Sequence, residues 1–222
     1  MIKRSIQLGG YDTAAYGWTL SGWQLGAAPQ KTSYVSKTGG DGSWDLSTAL
    51  TDGLLRYGDR PFTATLECSE GDRLTREEKI KHMINTLDGQ RVHIWLPDDS
   101  LHYLDGRLQV VKNYNDLAHA AVTVTATCQP WKYAALETTV TLTAATTEKV
   151  AALVNNGRRA VVPVLKVTGT GASVLLEYGT ASKALGPGTY QWPDLLLTTG
   201  SHDLTYSGTG TVTITYREAV LE

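Results

Sequence analysis

The sequence predicts a mainly β protein of two domains. The first is an N-terminal β-sheet or sandwich domain with one amphipathic helix, and the second is an antiparallel β-sandwich. Three observations carry this reading. Segments such as Thr63-Ala64-Thr65-Leu66-Glu67-Cys68 alternate apolar and polar residues with the period of a strand. Only one segment, ending in Leu87-Asp88-Gly89, has helical spacing bounded by start and stop signals. The chain also changes texture at Cys128-Gln129-Pro130-Trp131-Lys132-Tyr133, from mixed and frequently charged to Thr/Gly/Val-rich and sparsely charged. The domains are therefore expected at 1–133 and 134–222.

Along the first part, residues 11–30 place Tyr11, Tyr16, Trp18 and Trp23 among Gly22, Gly26 and Pro29. They fit neither period and suggest irregular strand and an extended arm, mobile in the free chain and ordered on assembly. Residues 39–47, Gly-Gly-Asp-Gly-Ser-Trp-Asp-Leu-Ser, form a turn-rich run. The helix is expected to start at Thr75 as N-cap, with Glu78 completing a capping box. Ile80, Ile84 and Leu87 share one face with Met83 beside them, Arg76, Glu77, Lys79 and Lys81 point outward, and Gly89 ends it. A meander follows: strand 91–96, the turn Pro97-Asp98-Asp99-Ser100, a return over 101–104, a bend or bulge at Asp105-Gly106-Arg107, a strand over 108–112 and a last one ending at Cys128.

The second part reads as short strands at 139–143, 161–167, 173–178, 195–197 and 211–216. Turn signals recur at Asn155-Asn156-Gly157, Gly169, Gly179, Gly186-Pro187-Gly188, Gly200 and Gly208. That spacing indicates a sandwich.

Composition narrows the function. The 222 residues, 41% hydrophobic and 19% charged, suffice for real cores. The net charge is −2, and each part carries −1 (14 basic against 15 acidic residues to Tyr133, then 6 against 7). Without a cluster of Lys and Arg there is no counterion-releasing surface for sequence-specific nucleic-acid binding. The start Met1-Ile2-Lys3-Arg4 lacks a following apolar run, so no signal peptide is expected, and no stretch reaches the length of a membrane span. Cys68 and Cys128 end alternating strands and read as reduced core thiols, with a disulfide left open.

Candidate chemistry is sparse. The Gly-Asp run lacks the ligand spacing of a calcium loop and the Gly-Lys-Ser/Thr of a phosphate loop. His93 and His102 could face each other across the hairpin near Asp98 and Asp99, but no metal-ligand spacing accompanies them. There is no Gly-x-Ser-x-Gly elbow, and Asp98-Asp99 is a turn pair rather than a cleft pair, so no enzyme activity, cofactor or metal is expected. Trp192, with Asp194 two residues on, is either a sandwich-core tryptophan or a sugar-stacking platform. Tyr16, Trp18, Trp23 and Trp44, near glycines, read as interface anchors.

In order and spacing, several elements are similar to the distal tail proteins of long-tailed bacteriophages. They are the Gly-Gly-Asp-Gly-Ser-Trp-Asp-Leu run, Arg56-Tyr57-Gly58-Asp59-Arg60, the helix end Leu87-Asp88-Gly89, Trp95-Leu96-Pro97-Asp98-Asp99, Gly106-Arg107 and Cys-Gln-Pro-Trp-Lys-Tyr. Asn156-Gly157, Pro163, Gly169 and the closing Gly208-Thr209-Gly210-Thr211-Val212 to Tyr216-Arg217-Glu218 extend the resemblance over nearly the whole chain. The resemblance implies a structural virion protein at the phage tail tip or baseplate. Its N-terminal domain would form a ring, commonly hexameric, and its second domain would be galectin-like. The ring would join the tail tube protein to the tail-tip hub protein and to receptor-binding proteins, with DNA passing unread through its lumen. A carbohydrate-binding module for host-surface glycans is the competing reading. Synthesis in the bacterial cytoplasm and residence in the virion follow from the same resemblance.

Overall fold

The structure, a computed structural model, describes residues 5–51 and 53–222; the charged start at residues 1–4 lies outside them. The chain divides into two compact units, Met1–Lys132 and Tyr133–Glu222.

The first unit contains β1 (Gln7–Leu8), β2 (Tyr11–Asp12), a 3-10 turn at Ala14–Tyr16, β3 (Thr19–Leu25), β4 (Tyr34–Ser36), β5 (Ser43–Asp45), β6 (Arg60–Cys68), the helix α1 (Arg73–Leu87), β7 (Arg91–Trp95), β8 (His102–Asn115) and β9 (Ala120–Ala134). Seven strands of this unit follow one another in an eight-stranded sheet in the order β2-β1-β7-β8-β9-β6-β3, while β4 and β5 pair only with each other. Alternation sets the inner face. On β6, Phe62, Ala64 and Leu66 point inward, opposite Ala126, Val124 and Val122 of β9. Ile80, Met83 and Leu87 of α1 close the same core.

The helix begins earlier than its sequence signals suggest. Asp72, not Thr75, is the N-cap, and its Oδ1 accepts from the Thr75 amide at 2.8 Å. Thr75 thus sits at N3, where that amide is one of the orphan donors. Gly89 does take the left-handed conformation after the helix, at φ 74°. Arg76 is the larger correction: it is buried rather than outward, while Leu74 is exposed. Its guanidinium donates to the carbonyls of Gly71, Asp116 (2.9 Å) and Leu117 (3.1 Å), and contacts Asn115 Oδ1. Three loop carbonyls outweigh the simple amphipathic pattern. Arg76→Met is expected to orphan them and destabilise the unit by about 2–4 kcal/mol, measured by denaturant unfolding; a loss below about 0.5 kcal/mol would contradict this account.

No bend interrupts the meander at residues 105–107, because β8 runs unbroken from His102 to Asn115. The reason lies on the neighbouring strand. A Cβ on Gly106 would stand 2.7 Å from Cys128 Sγ and 3.3 Å from Ala126 Cβ. Glycine serves close packing there rather than a turn. Cys68 and Cys128 are both free and buried, and burial pushes the Cys128 thiol up to about 12.

The second unit contains β10 (Thr138–Ala144), β11 (Lys149–Asn155), β12 (Val164–Tyr178), β13 (Ala181–Leu185), β14 (Gly188–Gln191), β15 (Gly200–Tyr216) and the short β16 (Ala219–Val220). The segments expected at 161–167 and 173–178 belong largely to one bent strand, β12. Its partner β15 is equally long. The first half of β15 pairs with β11 and the second with β10; likewise the first half of β12 pairs with β14 and the second with β13. The β12–β15 register shifts between Thr168 and Ser173. Gly169, Gly171, Gly208 and Gly210, all at positive φ, lie at this bend. One antiparallel sheet therefore curls over its own core of Leu153, Leu165, Val174, Leu204 and Ile214. Residues 195–197 form no strand; Leu197 makes only an isolated bridge to Val161.

Candidate assembly surface

The feature that the sheet does not absorb is the chain between β3 and β6. Its two legs run side by side as a stem. The amide of Gly26 donates to Pro61 O at 2.8 Å, Gly58 to Pro29 O at 2.7 Å and Lys31 to Arg56 O at 2.8 Å. Arg60, 2% exposed, locks the base by donating from Nε to Gly26 O at 2.8 Å and from Nη1 to Pro130 O at 3.4 Å. Tyr57 meets Trp131 edge-on, 5.3 Å between ring centres.

Beyond the stem the β4–β5 hairpin stands alone. Val35 pairs with Trp44. Strand alternation therefore places Val35, Lys37, Trp44 and Leu46 on one face. Lys37 Nζ lies 4.9 Å from the centre of the Trp44 ring. Trp44 is 61% exposed, and Tyr34, Val35, Leu46, Leu50 and Leu55 are exposed as well. On the Val35/Trp44 face, apolar exposure of this kind marks an interaction surface. Asp45 holds the hairpin end: Oδ1 accepts from the Ser47 amide at 2.9 Å, and Ser47 pulls the carboxyl below its ordinary range.

The expected arm at residues 11–30 is partly sheet, through β2 and β3, and its last residues form one leg of the stem. The projecting arm is the later segment 31–56, whose Gly/Ser content hid its role. Of the four anchors, Trp44 sits on the arm and Trp23 is partly exposed on the edge strand β3. Tyr16 is exposed, with its ring stacked on Tyr11 at 4.1 Å and on His82 of α1 at 5.1 Å. Trp18 does not serve: it is 1% exposed. After the 3-10 turn, its amide donates to Thr13 O at 2.9 Å and the indole enters the core, where burial of so large a ring is most favourable. Trp192 is likewise a core residue, 2% exposed, with Nε1 donating to Asp194 at 2.8 Å. The pair offers no platform to a sugar ring.

At the β2 end of the strand order, β1, β2 and the β7–β8 turn form a cleft of about 630 Å³ with Asp12, Trp95, Pro97 and Asp98 on its walls. Asp99, also on the cleft wall, accepts from His102 Nδ1 at 3.0 Å and from Lys132 Nζ at 3.3 Å. Burial pushes the Asp99 carboxyl up, but the His102 hydrogen bond and the charges of His102 and Lys132 outweigh it and hold it below its ordinary range. A carboxylate so depressed stabilises the fold above its unfolded pKa and loses that contribution as pH falls through the folded value. The amides of Leu101 and His102 donate to Asp99 Oδ1 at 3.2 and 3.0 Å. Hydrogen exchange at these two amides should therefore speed up as pH is lowered from about 5 through the depressed folded value, after correction for intrinsic rates, and Asp99→Asn should abolish that change. His93 does not join His102; it pairs with Asp105 and stacks on Tyr103 at 4.0 Å. Among the described residues no serine hydroxyl hydrogen-bonds His102, and no group of three or more His, Cys, Asp or Glu is placed to hold a metal ion. Nor is any described helix long and apolar enough to cross a membrane.

No family model matches the sequence, and no curated protein matches it. Solved structures do share the fold. The crystal structure of the SPP1 Dit protein (gp 19.1), described as a paradigm of the hub adsorption apparatus in phages infecting Gram-positive bacteria, aligns with a TM-score of 0.67. The alignment covers 96% of this chain and 98% of that one, at 15% identity. At that identity the likeness is one of fold.

Proposed function

We propose that the chain is a structural protein of a phage tail tip. Copies close into a ring, hexameric in our reading, that joins the tail tube protein to the tail-tip hub protein and to receptor-binding proteins. The observation that carries this is the end-to-end likeness in fold to SPP1 Dit, covering both units rather than one. The first unit is the ring former, and the second is the outward, galectin-like module. DNA passes through the lumen without sequence readout, in keeping with a chain of net charge −2. The protein acts in the virion by position, not by catalysis.

A closed ring needs a heterologous interface, with different surfaces meeting at each joint. The first unit supplies asymmetry of that kind, with a projecting arm at one sheet edge and a cleft at the other. The test is light-scattering mass over a concentration series, with negative-stain imaging. Rings of one copy number support the reading. A strict monomer, both alone and mixed with tube and hub proteins, overturns it.

A further inference from the structure

We infer that the arm of one copy docks in the cleft of the next, with the Val35/Trp44 face of the hairpin against Trp95 and Pro97 and Lys37 between Asp12 and Asp98. The inference rests on the ring reading and names the joint.

Topology is the first argument. The arm leaves the sheet between β3 and β6, and the cleft is bounded by β1, β2 and the end of β7; β3 and β2 are the two ends of the strand order. Both features also lie at the same end of the strands. The start of β6 at Arg60 pairs with Cys128 near the end of β9. The β7–β8 turn reaches the end of β9 through the Asp99–Lys132 ion pair. Gln7 of β1 pairs with Trp95. Copies arranged around an axis along the strands would bring each arm to the level of its neighbour's cleft, as a cyclic ring requires.

Chemistry is the second argument. The hairpin face is apolar with one cation, Lys37, held over an exposed tryptophan. The cleft is apolar on its Trp95 and Pro97 side and carries the exposed carboxylates Asp12 and Asp98. Asp99 is already paired with His102 and Lys132, so Asp12 and Asp98 are the acids left to meet a partner. A tryptophan anchor with a flanking charge pair is the usual composition of an interface hot spot. The hairpin face takes no part in the core.

Disulfide trapping tests the joint. Lys37→Cys and Asp98→Cys are placed in one full-length chain, whose native thiols Cys68 and Cys128 are buried. Mild oxidation at high protein concentration should yield a covalent ladder ending at a discrete copy number. Adding Trp44→Ala should cut the yield at least about tenfold, the effect of removing one hot-spot side chain. A chain with Lys149→Cys in place of Lys37→Cys should give no ladder. Monomer only, or an equal ladder from that control, overturns the inference. Scattering on the unaltered chain separates the two readings: rings without trapping leave the ring standing and remove this joint, whereas trapping to a discrete copy number supports both.

Discussion

Gly208→Ala is expected to destabilise the second unit by about 3–5 kcal/mol, combining the strain of a β-carbon at this backbone conformation with forced overpacking. Gly208 has φ 114°, and a Cβ there would stand 2.1 Å from Ser173 O and 3.2 Å from Val174 Cα. Those are backbone atoms of the paired strand, so no rotamer change relieves them. The position is also where β15 passes from one layer to the other, at the break in its register with β12. If the strand straightened instead, Leu204 and Ile214, both fully buried, could no longer face one core. Gly179→Ala is the control. It too has positive φ, 59°, but nothing lies within 4 Å of its Cβ position, so only the left-handed penalty of about 1–2 kcal/mol applies. Thermal unfolding of the two variants in parallel decides the matter. For a unit of this size each kcal/mol moves the midpoint by roughly 4–8 °C, so Gly208→Ala should melt at least about 10 °C below Gly179→Ala. Equal midpoints would mean that the sheet bends elsewhere.

The same glycines show where local reading stops. In the sequence Gly169 and Gly208 look like turns between short strands, because positive φ and loss of a side chain are common to turns and bends. Whether the chain reverses or merely bends is decided by partners more than thirty residues away, as Val174 with Gly208 shows. Gly106 misled in the same way, since the sulfur that excludes a side chain belongs to Cys128. Strand alternation, by contrast, is local, so the inner faces of β6 and β9 and the core position of Ile80, Met83 and Leu87 were legible. Arg76 was not, because the carbonyls it bonds come from the loop near residue 116. The candidate assembly surface was half legible. Trp44 stood out as an aromatic among glycines, and Trp18 stood out equally. Only the fold sends one indole outward and the other into the core.

Excising the hairpin should separate folding from assembly. Removing residues 34–45 and closing Ser33 to Leu46 with two glycines is geometrically mild, since the Leu46 amide already donates to Ser33 O at 2.8 Å. Among the described residues, the core of the first unit takes none between Leu25 and Phe62. The stem, with the Gly58–Pro29 bond and the Arg60 clamp on Gly26 O, stays outside the cut. Stability should therefore change by no more than about 0.5 kcal/mol, a midpoint shift within about 3 °C. Self-association should fall at least about a hundredfold, because the excised face contains the exposed tryptophan at the centre of the proposed interface. Scattering mass and thermal unfolding on one preparation read both quantities. A variant that melts normally and still assembles would show that sheet edges alone close the ring, through β3 against a neighbour's β2. One that melts far below the parent would place the hairpin among the elements that hold the first unit together, a role for which its solitary pairing and exposed side chains give no physical basis.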